Sequence, residues 1–141
     1  MNINGKNVLL AVLLCGLLGT MTGCEKKTPE PREDIAFTVC GKTQLPDALS
    51  EMIEEKKQHA FQISYATKEH LYIVVGYGAH DRANLQVTVE DLFKTDRAIY
   101  VKTNLETCEA TSADAQEAGD ASMYPYIVIR CERMELPVLF E

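Results

Sequence analysis

The most polar cluster beside the glycine-rich bend Gly76-Tyr77-Gly78 is His80-Asp81-Arg82. A histidine beside an aspartate can serve as a general base with its orienting carboxylate. Adjacent residues of an extended loop point apart, however, so the cluster reads as a surface contact rather than a catalytic pair. The bend follows one apolar run and leads to another extended run. It therefore lacks the helix N-terminus whose dipole would hold a phosphate. No G-x-S-x-G nucleophile turn is present, and no cysteine carries the local signature of a cysteine protease. Glu54-Glu55 and Glu90-Asp91 are pairs that any chain this acidic contains, and they carry no acid–base assignment. Cys40, Cys108 and Cys131 lie far apart, and His59, His70 and His80 are not paired at helical or strand spacing, so no metal site is expected. Those three cysteines permit one disulfide with one thiol left over, or three buried and inert thiols. Tyr72, Tyr77, Tyr100, Tyr124 and Tyr126 could line a pocket, although tyrosines in a small sheet more often pack half-buried with their hydroxyls in water. No catalytic residue and no cofactor is expected.

The residue type and spacing with the clearest chemistry lie earlier. Met1 to Cys24 divide into a start carrying Lys6, an apolar run of eleven residues from Val8 to Leu18, and the small-residue stretch Gly19 to Gly23. That is the plan of a secretory signal peptide. An α-helix needs about 20 residues to cross the hydrocarbon core, so the run is too short to span comfortably. Met21-Thr22-Gly23-Cys24 resembles the bacterial lipobox, with Met21 in place of the usual Leu, Val or Ile. The resemblance implies that residues 1–23 are removed and that Cys24 carries a thioether-linked diacylglycerol. At about 0.8 kcal/mol per buried methylene, two or three acyl chains suffice for stable attachment. The expected location is the extracytoplasmic face of the cell membrane.

Residues 24–34 contain no apolar side chain beyond proline and Cys24, and cannot bury enough surface to offset the entropy of ordering; they read as a flexible spacer. Residues 35–141 are of single-domain size. The chain carries 14 basic and 21 acidic side chains, a net charge of −7, and loss of the signal removes Lys6 but no acid, giving −8. Nucleic acid, which requires a basic stripe, is excluded as a partner, and the domain has little to attract it flat onto anionic lipid.

Periodicity places the elements. Ile35 to Cys40 has strand composition and stops at Gly41. Leu45 to Lys57 predicts an amphipathic helix, with Pro46 and Asp47 in its first turn and Leu45, Leu49, Met52 and Ile53 on one face. The period then changes to two. Phe61, Ile63 and Tyr65 alternate with Gln62 and Ser64, while Leu71 to Val75 is apolar on both faces, as a central strand would be. Leu85, Val87 and Val89 alternate with polar residues, and Ala98 to Thr103 follows a tight turn at Thr95-Asp96-Arg97. Glu106 to Ala121 reads as a long exposed loop, Tyr124 to Cys131 as a strand, and Leu136 to Glu141 as a short extended tail. Hairpin-length gaps favour antiparallel pairing. The expected fold is α+β, one helix packed on an antiparallel sheet of about five to seven strands, sandwich-like or partly closed.

In order and spacing the helix with Leu45-Pro46, the strand Leu71 to Val75 ending in Gly76-Tyr77-Gly78, Ala98 to Lys102, Tyr124-Pro125-Tyr126-Ile127-Val128-Ile129 and the final Leu136 to Glu141 resemble the protease complex subunit PrcB family. The likeness covers roughly Leu45 to Glu141. Its core pattern is a hydrophobic strand ending in G-x-x-x-T-G-G-Y. Gly78 is kept, but Arg82-Ala83-Asn84-Leu85 stands where the family has T-G-G-Y, and of the two replacements for glycine only Asn tolerates positive φ reasonably. The resemblance implies a domain that acts by association and brings no catalytic residues. The expected function is a non-enzymatic, lipid-anchored accessory domain that binds an extracytoplasmic protein such as a surface protease complex, with Gly76, Tyr77, Gly78, His80 and Arg82 as the contact loop. The alternative is a small-ligand-binding module built on the tyrosines and the bend.

Overall fold

The alternating and doubly apolar runs become two sheets. The computed structural model describes residues 29–82, 84–108 and 123–141. In chain order these form β1 (Glu33–Asp34), β2 (Phe37–Val39), a single 3-10 turn (Lys42–Gln44), α1 (Asp47–Lys56), β3 (Ala60–Ala66), β4 (His70–Tyr77), β5 (Leu85–Lys94), β6 (Ile99–Thr107), β7 (Tyr126–Glu132) and β8 (Val138–Phe140). The outer sheet has the order β1-β5-β6-β8 and the central sheet β2-β7-β4-β3. The fold is α+β, with the helix on one sheet and neither sheet closed.

The central sheet is covered on both sides, which is why its inner strands lack a polar face. On one side Leu71, Ile73 and Val75 of β4 and Ile127, Ile129 and Cys131 of β7 meet Val87, Leu92, Ile99 and Val101 of the outer sheet. On the other, Tyr72, Val74, Val128 and Ile63 meet Leu49 and Ile53 of α1, with Cys40 closing the cluster. The helix begins at Asp47 because Pro46, at φ −57° and ψ 140°, is still extended; Asp47 in the first turn and Lys56 in the last suit the helix dipole. Leu49 and Ile53, one turn apart, are fully buried, while Glu51, Glu54 and Glu55 face water.

Four features depart from expectation. The parallel pairing of β6 with β8 breaks an otherwise antiparallel set: the tail is a strand, Ile99↔Val138 to Val101↔Phe140, with Val138 and Phe140 packed on the core between the sheets. β4 and β5, separated by a hairpin-length gap, do not pair, because the chain passes between them from the central to the outer sheet. Strand β5 continues past Val89 through a bulge before Asp91, which shifts the inward residue from Val89 to Leu92 and hides the strand's length from a period-two reading.

The start of the domain also differs. Glu33–Asp34, assigned to the spacer, pairs with Lys94 and Phe93 of β5, and Ile35 N–H donates to Leu92 O at 3.2 Å. Only Phe37–Val39 joins the central sheet, against Ile129 to Cys131, so the expected single strand is divided between two sheets. Arg32 fastens this segment. Its guanidinium grips both oxygens of Asp91, at 3.0 and 2.6 Å, and lies 4.1 Å from the centre of the Phe93 ring, which in turn stacks on Tyr100. Asp91 holds that guanidinium even more firmly protonated than usual. The remaining spacer residues up to Thr28 lie outside the described residues, as do residues 109–121 of the loop expected from Glu106 to Ala121, whose first two residues, Glu106 and Thr107, instead end β6 against Gln86 and Leu85.

Because α1 reaches the core through Leu49 and Ile53, truncating either to Ala should cost about 2–5 kcal/mol, whereas Glu51→Ala should stay within about 0.5 kcal/mol. Urea denaturation of the three variants checks this.

Candidate functional site

The expected contact residues lie where the chain leaves β4 for β5, and their side chains have different fates. Gly76 is a buried strand residue opposite Phe61, whose ring lies over it; a Cβ there would overlap that ring. Tyr77 points to the other side of the sheet, packs on the core between the sheets, and shares a 2.9 Å hydrogen bond between its hydroxyl and Thr103 Oγ1 of β6. Gly78 is buried at φ 78°, and a Cβ would sit 2.9 Å from Ala60 N and 3.0 Å from the His59 carbonyl carbon. Glycine is required there both for its backbone conformation and for the close approach of the chain. As a contact surface the expected set is therefore corrected: Gly76 and Gly78 shape the loop, Tyr77 ties the sheets together, and of the named residues Arg82 is fully exposed and His80 half-buried.

His80 is held by two bonds. Its N–H donates to Met123 O at 2.9 Å, and its ring Nε2 lies 3.2 Å from Tyr77 O. A carbonyl only accepts, so Nε2 carries the proton in this contact. The ring is thus turned back onto its own loop, with Tyr77 O rather than Asp81 as its partner. Asp81 and Arg82 stand in solvent.

The bonds around this loop gather a larger end surface. Cys108 N–H donates to Asn84 O at 2.8 Å, joining the end of β6 to the start of β5, and Tyr77 N–H donates to Pro125 O at 3.0 Å, joining the end of β4 to the start of β7. Met123 stands 54% exposed beside His80, and Lys57, at the end of α1, lies 5.2 Å from the centre of the Tyr124 ring. No local signal in the sequence marks Met123, because its neighbourhood is set by the β4–β7 register across a long intervening segment. Asn84 takes φ 78°, a left-handed conformation that asparagine tolerates better than most residues with a side chain.

The other candidates are dispersed. Tyr72 is buried on the helix side of the central sheet, Tyr100 stacks on Phe93 on the outer sheet, and Tyr126 belongs to the helix-side cluster. Burial pushes the Tyr126 phenol above its usual range. A groove of about 460 Å³ lies at the opposite end, walled by Pro31, Arg32, Glu33, Lys94, Thr95, Asp96 and Leu136, and a smaller one of about 160 Å³ lies beside α1, where Tyr126 meets Leu45 and Ile53. Of the tyrosines, Tyr126 alone lines either of these two grooves formed by the described residues. Cys40, Cys108 and Cys131 are free thiols. Cys40 and Cys131 are buried in clusters on opposite sides of the central sheet, and burial pushes the Cys131 thiol up. Cys108 is half-buried, its Sγ beside Gln86 Oε1. Among the described residues no three His, Cys, Asp or Glu side chains gather as a metal site, and Cys24 lies outside those residues.

Comparison with known proteins returns no match: no family model fits the chain, and neither a curated protein nor a solved structure matches it.

Two measurements check this geometry. Asn84→Ala should lose about 1–2 kcal/mol by urea denaturation, while Asn84→Gly should change stability by no more than a few tenths, since only the first places a Cβ-bearing residue without a local hydrogen-bonding side chain at positive φ. Of Cys40, Cys108 and Cys131, native-state alkylation should label Cys108 first, and denaturation should be needed for the two buried thiols.

Proposed function

We propose that the chain is a non-enzymatic, lipid-anchored accessory domain that binds another extracytoplasmic protein through the end surface carrying Asp81, Arg82, Asn84 and Met123. The resemblance to the PrcB family suggests a surface protease complex as the assembly it serves.

The observation that carries this reading is the placement of the two ends of β5. The chain comes in from its N-terminus along the Lys94 end, where β1 pairs and Arg32 is fastened to Asp91. The Asp81-Arg82 loop precedes Leu85 at the other end. Ten strand residues at about 3.3 Å each separate them by roughly 30 Å. Attachment through Cys24 therefore leaves the loop clear of its own tether. The Arg32–Asp91 clamp, reinforced by the Phe93 ring, makes the segment from Arg32 to Asp34 part of the outer sheet. An end surface with one acid, one base, an amide and an exposed methionine has the mixed character of a protein contact, whose apolar anchors are rimmed by polar groups.

A photocrosslinking residue at Arg82 in intact cells should capture a discrete protein adduct, and the same residue at Glu51 on the outer face of α1 should not. Absence of any adduct from Arg82, Asp81 and Met123 in turn would overturn the contact assignment. Separately, Cys24→Ser should abolish labelling by a fatty-acid probe and leave precursor or released protein; persistent labelling would overturn the anchor.

A further inference from the structure

Sheet edges are normally blunted, because a row of unpaired backbone donors and acceptors templates another strand. Three of the four edge strands, β1, β2 and β8, are only two or three residues long. β3 is different. It runs seven residues, Ala60–Ala66, with no charge, no proline and an unbroken register against β4 on its other side.

The ladder fixes which backbone groups are free. Thr67 N–H donates to His70 O at 2.9 Å, toward β4, whereas Tyr77 N–H is directed to Pro125 O on the β7 side. Strand alternation then turns the backbone of Phe61, Ile63 and Tyr65 toward β4 and that of Ala60, Gln62, Ser64 and Ala66 outward. All four outward residues are exposed, and among the described residues no other element pairs with this edge.

The strand is also nearly the same read in either direction: Ala-Phe-Gln-Ile-Ser-Tyr-Ala, centred on Ile63. We propose that β3 pairs antiparallel with β3 of a second copy of this chain, about a twofold axis at Ile63, joining the two central sheets into one. In that register Gln62 faces the partner's Ser64 and Ala60 faces the partner's Ala66, and these are the outward-directed residues, so each such pair exchanges two backbone hydrogen bonds. Ile63 meets its own copy, and Phe61 meets the partner's Tyr65, in the closer, non-hydrogen-bonded positions. Aromatic pairs of this kind are among the favourable cross-strand contacts. They extend the helix-side cluster, in which Ile63 is buried and Phe61 and Tyr65 are half-buried. No like charges oppose each other along the strand, which carries no charged residue. A one-residue slip would put the aromatic side chains opposite polar ones on the wrong face, so the register is specified.

The symmetry is compatible with a shared membrane. A twofold perpendicular to the joined sheet keeps both outer sheets on one side, the side on which both N-terminal segments come in. Two copies anchored through those segments can then reach a single bilayer.

The test uses the full chain purified in detergent, with sedimentation equilibrium across a dilution series. The wild type should sediment as a monomer–dimer equilibrium. Gln62→Lys/Ser64→Lys opposes like charges at both pairs and should raise the dimer dissociation constant about tenfold or more. Gln62→Lys/Ser64→Glu places unlike charges at the same positions and should restore dimerisation to near the wild-type value. Both sites are exposed, so at concentrations low enough for all three proteins to be monomeric their thermal midpoints should agree closely, which separates loss of pairing from loss of fold. A wild type that stays monomeric at every concentration, a double-lysine variant that dimerises as the wild type does, or a lysine–glutamate variant no better than the double lysine would each overturn the proposal.

Discussion

The structure depends on the burial of β4 and β7 from both sides. Ile73, Val74, Val128 and Ile129 are essentially inaccessible, and consecutive residues of a strand point to opposite faces, so neither face can be left to water. One cover is α1, which needs only Leu49 and Ile53 at its centre. The other must be broad enough for Leu71, Ile73, Val75, Ile127, Ile129 and Cys131, and a second sheet supplies it. The three-layer arrangement follows from that demand.

A two-sided sheet has to be wrapped by a chain that changes sides, and the crossings are where the uncommon residues sit. Between β4 and β5 the chain turns through Gly78 and Asn84, both at positive φ. Between Asp34 and Phe37 it passes the other way with no special residue, fastened instead by the Arg32 clamp on Asp91 and Phe93. Tyr77, immediately before the first crossing, binds Thr103 of the outer sheet and holds the two layers in register at that end. The candidate contact surface is thus the outside of a structural turn, its shape set by residues that must be glycine or asparagine and its exposed chemistry by Asp81, Arg82 and Met123.

The periodic parts of this architecture were legible. α1 and the hydrophobic centres of β3, β4, β5, β6 and β7 follow from spacing alone, because each element buries a fixed face against the core. The unbroken run from Leu71 to Val75 announced a strand covered twice. Less could be read where pairing is decided by backbone hydrogen bonds alone. Glu33 and Asp34 have side chains typical of a spacer, yet their peptide groups complete the edge of β5. The bulge before Asp91 interrupts the alternation that would have revealed the full strand, and the tail at Val138–Phe140 carries no sign of whether its neighbour runs parallel or antiparallel. Within the site, Asn84 was identifiable as the residue able to take positive φ, whereas Gly76 was misplaced on the surface, since its burial comes from Phe61 fifteen positions earlier.

By itself, then, the amino-acid sequence determined the element types, the helix face, the two-sided strand and the acidic balance, all of which rest on local composition or periodicity, while the expectation of an anchor at Cys24 rests on the resemblance of Met21 to Cys24 to a lipobox. The tertiary structure alone decided that the hairpin-length gap after β4 crosses between sheets, that the tail joins β6 in parallel, that Cys40 and Cys131 are held apart by a sheet, and that Met123 stands beside His80. Those outcomes depend on which distant strands pair and in what register, a choice made by the packing of the whole core and written in no single stretch of the chain.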